Sequence, residues 1–422
     1  MSGGDFVSGG DLLSDGDLLS DGDLAREGTG PAAADLRARV RAFCADHDPA
    51  AAPREEFFRA QFDAGLAAVH YPAGHGGLGL PRTLQPAADD EFARAGAPRL
   101  DDTRNVIGLG MAAPTIIAFG TEEQKSRWLK PLWLAEEIWC QLFSEPGAGS
   151  DLAGLATRAV RDGDDWVVTG QKVWTSFAHT ARWGLLLART DPDVPKHAGL
   201  SYFVADMQAP GVEVRALRQL TGEAEFNEVF FSGLRVPDAS RLGAVGDGWR
   251  VANATLMNER VAIGNATAVP RESGLIGYLA NAWRQHPELR THELHQRLLS
   301  LWAQAEVARL AGERLRQQIA AGEPGPEGSA GKLTFARLNQ EISALEVELL
   351  GPAGLSYDDW SMRRAGSSAY SRNAAYRYLR VRGNSIEGGT SEILRNIIAE
   401  RVLGLPPEPR TDTKVPWKDL PR

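Results

Sequence analysis

The chain has 422 residues, of which 43% are hydrophobic and 24% charged, so its length predicts two or three globular domains with sizeable cores. The net charge is −9 and the pI about 5.5, which argues against a broad nucleic-acid-binding surface but allows a local basic pocket for a phosphorylated ligand. The two cysteines, Cys44 and Cys140, belong to no CxxC pair or Cys/His cluster, so neither a metal site nor a disulfide framework is expected.

The first thirty residues have a composition of their own. The hexapeptide DLLSDG begins at Asp11 and again at Asp17, and a six-residue period matches neither a helix nor a strand. Calcium-binding β-roll repeats have a nine-residue period, so residues 1–30 are predicted to be a disordered, low-complexity extension. The acidic start lacks the basic residues of a signal peptide, and no apolar run is long enough to span a bilayer. We therefore expect a cytoplasmic protein without membrane contact.

Three compositional zones and a tail follow this extension. Helical periodicity dominates residues 31–138, where Thr121 is predicted to cap a helix. Short β-rich segments bounded by turns fill residues 139–245. Helical periodicity returns over residues 246–405, before a Pro-rich tail, residues 406–422, that is expected to lie extended. This segregation predicts an α+β multidomain fold rather than a doubly wound sheet, and no Rossmann or Walker motif is present.

A glycine-rich segment, EPGAGSD, lies near the start of the β-rich zone, at residues 145–151. Its glycines, Gly147 and Gly149, allow the backbone to approach a bulky cofactor or a pyrophosphate closely. Ser144 and Ser150 offer hydroxyl and backbone donors on either side. By itself the segment is also typical of an ordinary β-turn.

Three segments then occur in a distinctive order: WCQLFSEPGAGSDLAG at 139–154, GQKVWTS at 170–176 and IEGGTSEILRNIIAERVLG at 386–404. In order and spacing they resemble the signatures of the acyl-CoA dehydrogenase family, and the resemblance extends over residues 35–405. It implies an N-terminal α-helical domain, a middle antiparallel β-domain and a C-terminal four-helix bundle. It also implies bound FAD and oxidation of the Cα–Cβ bond of a saturated acyl-CoA to the trans-2-enoyl thioester, in fatty acid or lipid catabolism.

The resemblance further implies roles for single residues. Ser144 corresponds to the hydroxyl at the flavin N1/C2=O edge, Trp174 to the ring that packs on the isoalloxazine, and Ser176 to the partner of flavin N5. Ser150 corresponds to a residue near the CoA diphosphate or pantetheine. Judged without the family resemblance, Trp174 is as readily interpreted as a core tryptophan, and Ser176 as a serine at the end of a strand. The residues implied at the cofactor are Phe143, Ser144, Gly149, Ser150, Trp174, Thr175, Ser176, Glu348, Gly351, Thr390 and Glu392.

The reaction needs a carboxylate to remove the substrate α-proton. Many family members carry it in the C-terminal signature, but here Gly388 occupies that position and Glu387 lies one residue early. Some relatives carry a Glu before an Arg on the helix that opens the C-terminal domain, which Glu259 and Arg260 match. Glu259 also falls on an apolar helical stripe, where a carboxylate faces either a ligand or a buried ion-pair partner.

We therefore predict Glu259 as the base, with Glu387 as the alternative. Arg260 and Ser150 are implied on the substrate side, and the backbone N–H of Gly388 as a donor to the thioester oxygen. Arg260 could equally be a structural arginine of the helix surface.

Two departures from the family pattern concern the adenine end of FAD and the subunit packing. The usual R-x-x-F pair is absent, with WRQHPEL in its region, and Glu348 stands where a Gln is usual. The implied partners are acyl-CoA or an acyl-carrier-protein substrate, an electron-transfer flavoprotein, and further copies of the chain in a homodimer or homotetramer. The alternatives are a flavin monooxygenase or oxidase on the same fold, and a catalytically weak partner subunit of a heteromeric dehydrogenase.

Overall fold

The structure is a computed structural model that describes residues 30–100, 102–265, 272, 274–320, 326, 328–357, 359–362, 372–410 and 412–421. At residues 102–103, 259–265 and 319–320 it describes the backbone only. Of the predicted N-terminal extension, all residues except Gly30 lie outside the described part of the chain.

A helical layer comes first. Its helices are α1 (Pro31–Asp46), α2 (Arg54–Asp63), α3 (Gln85–Arg94), α4 (Ala113–Phe119) and α5 (Glu122–Trp133). At the start of α5 the Thr121 hydroxyl accepts from the Gln124 backbone N–H at 3.3 Å, and the Gln124 side chain accepts from the Thr121 N–H at 2.9 Å. This reciprocal capping satisfies two N–H groups that a helix start leaves unpaired, and it confirms the predicted cap.

The strands follow as one sheet. They are β1 (Trp139–Leu142), β2 (Arg158–Asp162), β3 (Asp165–Lys172), β4 (Trp183–Arg189), β5 (Leu200–Asp206), β6 (Val212–Ala216), β7 (Asn227–Pro237) and β8 (Arg241–Leu242). Their order is β6-β7-β3-β2-β4-β5-β8, with β1 beside β4. Most neighbours are antiparallel, as predicted, but β1 and β2 pair with β4 in parallel. Parallel neighbours need a long connection, which residues 143–182 supply between β1 and β4.

Helices return after the sheet. They are α6 (Gly248–Asn265), α7 (Leu275–Gln285), α8 (His292–Ala320), α9 (Gly328–Leu350), α10 (Ala374–Arg380) and α11 (Ser391–Ile397). Helix α9 is central, because it packs against each of the other five. Its residues Leu338, Ile342, Leu345 and Leu349 recur at helical spacing and are all buried, as expected for a helix that faces a core. Among the described helices, none is both long and apolar enough to cross a membrane.

Alternation along the strands divides the interior into separate cores. In β4, Leu185 and Leu187 face a cluster shared with the N-terminal helices and the start of α6, while Leu186 and Ala188 face the opposite cluster. A further cluster fills the C-terminal helices. The sheet therefore packs against helices on one face, and the loops at its edges remain available to a site.

Candidate active site

The ends of β1 and β3 lie side by side. The backbone N–H of Val173 donates to the Ser144 carbonyl at 2.9 Å, and the Lys172 ammonium donates to the Phe143 carbonyl at 2.9 Å. These bonds bring together two of the three sequence motifs, EPGAGSD and KVWTS. The predicted flavin-edge residue, Ser144, thus lies directly beside the predicted ring-packing segment.

A buried ion pair fixes this junction. Lys172 is fully buried, and its ammonium donates to a Glu145 carboxylate oxygen at 2.8 Å. The same carboxylate accepts the backbone N–H groups of Ala156 (2.7 Å) and Thr157 (2.9 Å), which closes the loop between them. Burial lowers the pKa of Lys172 to about 8, with Glu145 opposing the shift. Burial raises the pKa of Glu145, but the Lys172 charge and the hydrogen bonds outweigh it, so that pKa is lowered overall.

Sequence reasoning did not identify Lys172 as a site residue, although a signal was present. Along β3 the buried residues Trp166 and Val168 alternate on one face, and Lys172 continues the same two-residue period. A lysine on an apolar strand face requires a buried partner, because an isolated ammonium is costly to remove from water. Only the tertiary structure identifies that partner as Glu145.

Trp174 and Thr175 form a strained turn after β3. Trp174 has φ 60°, in the left-handed region, and its side chain is 57% exposed. Thr175 is held by Asn227, with which it exchanges two backbone hydrogen bonds of 3.0 Å, while the Asn227 side chain donates to the Thr175 carbonyl at 2.9 Å. The Thr175 hydroxyl is buried without a hydrogen-bond partner among the described residues. Ser176 follows, half-buried.

The glycines of EPGAGSD are not required by packing among the residues that the structure describes. A Cβ built on Gly147 or Gly149 would meet no atom of that part of the chain within 4 Å. Gly149 and Ser150 are exposed, whereas Phe143 at the start of the loop is buried. The open space beside these glycines is consistent with close approach by a ligand rather than by the protein itself.

The C-terminal signature forms a tight turn that begins a helix. Gly388 has φ 63° and Gly389 φ 95°, both in the left-handed region that favours glycine. The buried Lys332 of α9 donates to the Gly389 carbonyl at 2.6 Å. The Thr390 hydroxyl then accepts from the Ile393 backbone N–H at 3.2 Å and caps α11. Two left-handed glycines, a lysine and a cap thus fix the backbone of this turn.

An arginine connects this turn to the β-domain. Arg380 donates to both Glu387 oxygens at 3.3 and 3.4 Å and to Glu225 at 3.4 Å. Its guanidinium lies 6.0 Å from the Phe226 ring centre, and that ring lies 5.9 Å from the Trp174 ring, edge to face. Burial raises the pKa of Glu225, which Arg380 only partly offsets. The third motif thus approaches the first two through Arg380 and Phe226.

Other predicted residues make contacts elsewhere. Glu348 is exposed on α9 and forms a two-point ion pair with Arg297 of α8 at 2.7 and 2.8 Å, which lowers the pKa of Glu348. Gly351 follows α9 with φ 55°. Glu392 is exposed and lies 3.5 Å from Arg395 in the same helix. These contacts give Glu348 and Glu392 surface partners within the chain.

The predicted base lies in α6. Glu259 and Arg260 are helical residues whose side chains lie outside the described part of the structure. One turn earlier, the buried Thr255 hydroxyl lies 3.0 Å from the Tyr202 hydroxyl of β5. The Tyr202 ring in turn meets the Phe143 ring edge to face at 5.7 Å. These contacts fix α6 relative to the start of the EPGAGSD loop, one turn before the predicted base.

Comparison with known proteins gives a consistent result over most of the chain. Models of the acyl-CoA dehydrogenase N-terminal, middle and C-terminal domains match residues 31–136, 140–234 and 246–403 respectively. The chain is 43% identical over 376 residues to the acyl-CoA dehydrogenase FadE34 of Mycobacterium tuberculosis, covering 88% of this chain but only 49% of that protein. It thus spans about half the length of this relative.

Further matches cover nearly whole proteins. The acyl-CoA dehydrogenase IpdE1 of Mycobacterium tuberculosis is 41% identical over 354 residues, which are 82% of this chain and 86% of the relative. A solved structure described as the Tcur3481-Tcur3483 steroid ACAD has a TM-score of 0.68 at 27% identity and covers 90% of this chain and 99% of its own. The ChsE4-ChsE5 complex from Mycobacterium tuberculosis has a TM-score of 0.66 at 29% identity, with the same coverage of both chains.

Proposed function

Because the chain belongs to the acyl-CoA dehydrogenase family, whose members are FAD-dependent oxidoreductases of lipid catabolism, we propose that it dehydrogenates a saturated acyl-CoA thioester. The product is the trans-2-enoyl thioester, and an electron-transfer flavoprotein accepts the electrons. The observation that carries this proposal is the junction of Ser144 with Val173, which joins the two motifs expected at the flavin.

The residues at this junction fit FAD. Trp174 exposes a large aromatic surface from a backbone conformation that costs a non-glycine residue roughly 1–2 kcal/mol. Such a strained and exposed residue is accounted for if a planar ring covers it. The buried Thr175 hydroxyl, for which the described ranges offer no hydrogen-bond partner, and the open space beside Gly147 and Gly149 also suit a bulky polar cofactor.

We assign the cofactor contacts as the sequence predicts them. Ser144 donates at the N1/C2=O edge, Trp174 packs on the isoalloxazine, and Ser176 hydrogen-bonds N5. Thr390 lies on the diphosphate side, at the start of α11, which its hydroxyl caps. When bound, FAD supplies the acceptor for the hydride that leaves the substrate β-carbon. The remaining predicted contacts are Phe143, Gly149, Ser150, Thr175, Glu348, Gly351 and Glu392.

On the substrate side, Glu259 removes the α-proton and Arg260 lies beside it. The backbone N–H of Gly388 donates to the thioester oxygen, which makes the α-proton more acidic. The rigid turn around Gly388 and the fixed position of Thr255 in α6 support this assignment, since proton transfer requires both partners to be positioned in advance.

The alternative base, Glu387, is engaged elsewhere. Both of its oxygens accept from Arg380, which also binds Glu225. A carboxylate already engaged by a guanidinium would have to loosen that ion pair to reach a substrate proton. This contact favours Glu259 as the base.

Two matched substitutions test the assignment. Anaerobic titration with a panel of acyl-CoA thioesters, including a steroid side-chain thioester because one structural neighbour is described as a steroid ACAD, should bleach the flavin of the wild type. Glu259→Gln keeps the size of the side chain but removes its basicity, so it should retain FAD and lose about 10⁴-fold in the rate of flavin reduction. Glu387→Gln should reduce its flavin within a few-fold of the wild-type rate. An inert Glu387→Gln beside an active Glu259→Gln would transfer the base to the turn.

Aerobic turnover of the same proteins separates the dehydrogenase from an oxidase or monooxygenase. A dehydrogenase turns over with an electron-transfer flavoprotein or a dye, and its reduced flavin reacts slowly with O₂. Rapid stoichiometric O₂ consumption with the thioester, undiminished in Glu259→Gln, would favour the oxygen-dependent alternative.

We propose that the chain forms a homodimer or homotetramer. A heteromeric assembly is the second candidate, because the descriptions of two structural neighbours each join two protein names. Exposed apolar side chains near the C-terminal signature, Ile386, Leu403 and Leu405, offer a surface for either kind of partner. A chain purified alone that forms oligomers, contains FAD and reduces it with thioester supports the homo-oligomer. Activity only after a second subunit type is added would support the heteromeric form.

A further inference from the structure

The end of the chain returns to the β-sheet. The matched C-terminal domain ends at residue 403, yet residues 412–421, here named the tail brace, pack on the loop between β4 and β5. The backbone N–H of Trp417 donates to the Val194 carbonyl at 2.9 Å, and that of Lys418 to the Pro192 carbonyl at 3.1 Å. The tail is therefore attached to this loop, and Trp417–Asp419 forms a short 3-10 helix rather than an extended segment.

Trp417 anchors the tail brace to the segment that follows Ser150. Its indole N–H donates to the Gly154 carbonyl at 3.1 Å, and the Arg189 guanidinium stacks over its ring at 4.2 Å. Arg189 is buried and itself donates to the carbonyls of Ala153 (2.6 Å) and Leu155 (3.1 Å). Three consecutive carbonyls are thus held by a tryptophan of the tail and by the arginine beneath it.

A second contact holds the residue next to Ser150. The Lys196 ammonium, with a side chain only 6% exposed, donates to both Asp151 oxygens at 2.8 and 2.9 Å and pairs with Asp412 of the tail brace at 2.5 Å. The hydrogen bond from Lys196 lowers the pKa of Asp412 to about 2. Because the folded-state pKa of this carboxylate is lowered, its ionised form stabilises the fold at pH values above its ordinary pKa near 4. That stabilisation is lost only as the pH falls toward 2. The contact is therefore intact at neutral pH.

Together these contacts fix one end of the EPGAGSD loop, while Glu145 fixes the other through Ala156, Thr157 and Lys172. Between the two fixed ends lies Ser150, whose side chain is exposed. The proposed function places this serine near the CoA diphosphate or pantetheine.

We infer that the tail brace orders the Ser150 loop for the CoA part of the substrate, with Trp417 and Asp412 as positioning residues. This inference rests on the proposed function. A loop ordered in advance does not lose conformational entropy when the ligand binds, so the brace contributes to the affinity for the CoA portion. The brace contacts this segment at Gly154 and, through Lys196, at Asp151, rather than at Ser144 at the flavin end of the loop, so we expect the rate of the chemical step to be unchanged.

The test uses the full-length holoenzyme and two thioesters of one acyl group, the fastest flavin reductant of the acyl-CoA panel. One is the CoA thioester and the other the N-acetylcysteamine thioester, which lacks the diphosphate and most of the pantetheine. Trp417→Ala and Asp412→Ala should each raise the Kd of the CoA thioester about tenfold, equivalent to ~1.4 kcal/mol, with the limiting rate of flavin reduction unchanged. The second-order rate constant for the N-acetylcysteamine thioester should not change.

Matched variants separate positioning from general stability. Trp417→Phe keeps the ring over Arg189 but loses the N–H, so it should recover part of the CoA affinity. Asp419→Ala changes an exposed residue of the same segment and should behave as wild type. Equal losses with both thioesters, no loss with either, or loss of FAD in Trp417→Ala would overturn the inference while leaving the proposed function intact. A wild type whose flavin is reduced by neither thioester would overturn the proposed function and the inference with it.

Discussion

One buried lysine determines how the two segments proposed to bind the flavin meet. The Lys172 ammonium contacts the Phe143 carbonyl and the Glu145 carboxylate, while the adjacent Val173 binds Ser144. Removing one partner of a buried ion pair leaves an uncompensated charge, which is more costly than losing the pair as a whole. The two residues are therefore expected to behave as a unit.

Lys172→Met should lower the free energy of unfolding by about 3 kcal/mol and weaken FAD retention, because it leaves Glu145 charged and largely buried. Adding Glu145→Gln should recover at least about 1 kcal/mol, since it removes the uncompensated charge and the amide oxygen can still accept from one of the two N–H groups, of Ala156 or Thr157, that the carboxylate binds. Chemical denaturation of the single and double variants measures both values. A double variant less stable than Lys172→Met would show that the uncompensated charge is not the cause.

The pH dependence of the same single variant provides an independent check. The folded-state pKa of Lys172, about 8, lies below its ordinary value of 10.5. Between these pH values the unfolded chain binds the proton and the folded chain does not, so the contribution of this lysine to stability rises with pH. The stability difference between wild type and Lys172→Met should therefore widen from pH 8 to 10.5.

At the scale of elements, the turn before α11 combines a strained backbone with a buried tether. Gly389 has φ 95°, and a Cβ there would meet Leu394 at an ordinary 3.6 Å, so the cost of a side chain is conformational rather than steric. The Lys332 ammonium of α9 donates to the carbonyl of the same residue, Gly389. The position of the Gly388 N–H, the proposed donor to the thioester oxygen, thus depends on two left-handed residues in a row.

Gly389→Ala should destabilise the fold by about 1–2 kcal/mol and slow flavin reduction by the thioester, because the turn shifts to relieve the strain. Gly163→Ala is the matched control: Gly163 has φ 62° and open space for a Cβ, but it lies in the β2–β3 hairpin. It should lose similar stability and keep the wild-type reduction rate. Thermal denaturation and stopped-flow reduction test the pair, and equal reduction rates in the two variants would contradict a catalytic role for the turn.

At the scale of the whole molecule, the N-terminal helices, the sheet and the start of α6 share one core, which includes Val251 and Ala252. Helix α6 belongs to the C-terminal helical zone and carries Glu259. The predicted base is therefore positioned by the packing of α6 against the N-terminal helices and the sheet. The site depends on this joint core rather than on a single domain.

The hydrophobic core of the described structure begins at α1, where Ala33 and Leu36 are buried. The DLLSDG repeat before it offers no periodic apolar face. A chain that starts at Pro31 should therefore keep the FAD content and the melting temperature of the full-length protein within error. Calorimetry and release of the flavin by denaturation measure these values, and a loss of several degrees would show that residues 1–30 pack on the body.

The sequence by itself determined the succession of helices, sheet and helices, the cap at Thr121 and the three motifs that indicate the family, because these depend on neighbours along the chain. Only the tertiary structure decided that Lys172 pairs with Glu145, that Glu348 pairs with Arg297 on the surface, and that the tail returns to the β4–β5 loop. These contacts join residues distant in sequence, and no local period or propensity specifies which partner burial will bring within hydrogen-bonding distance.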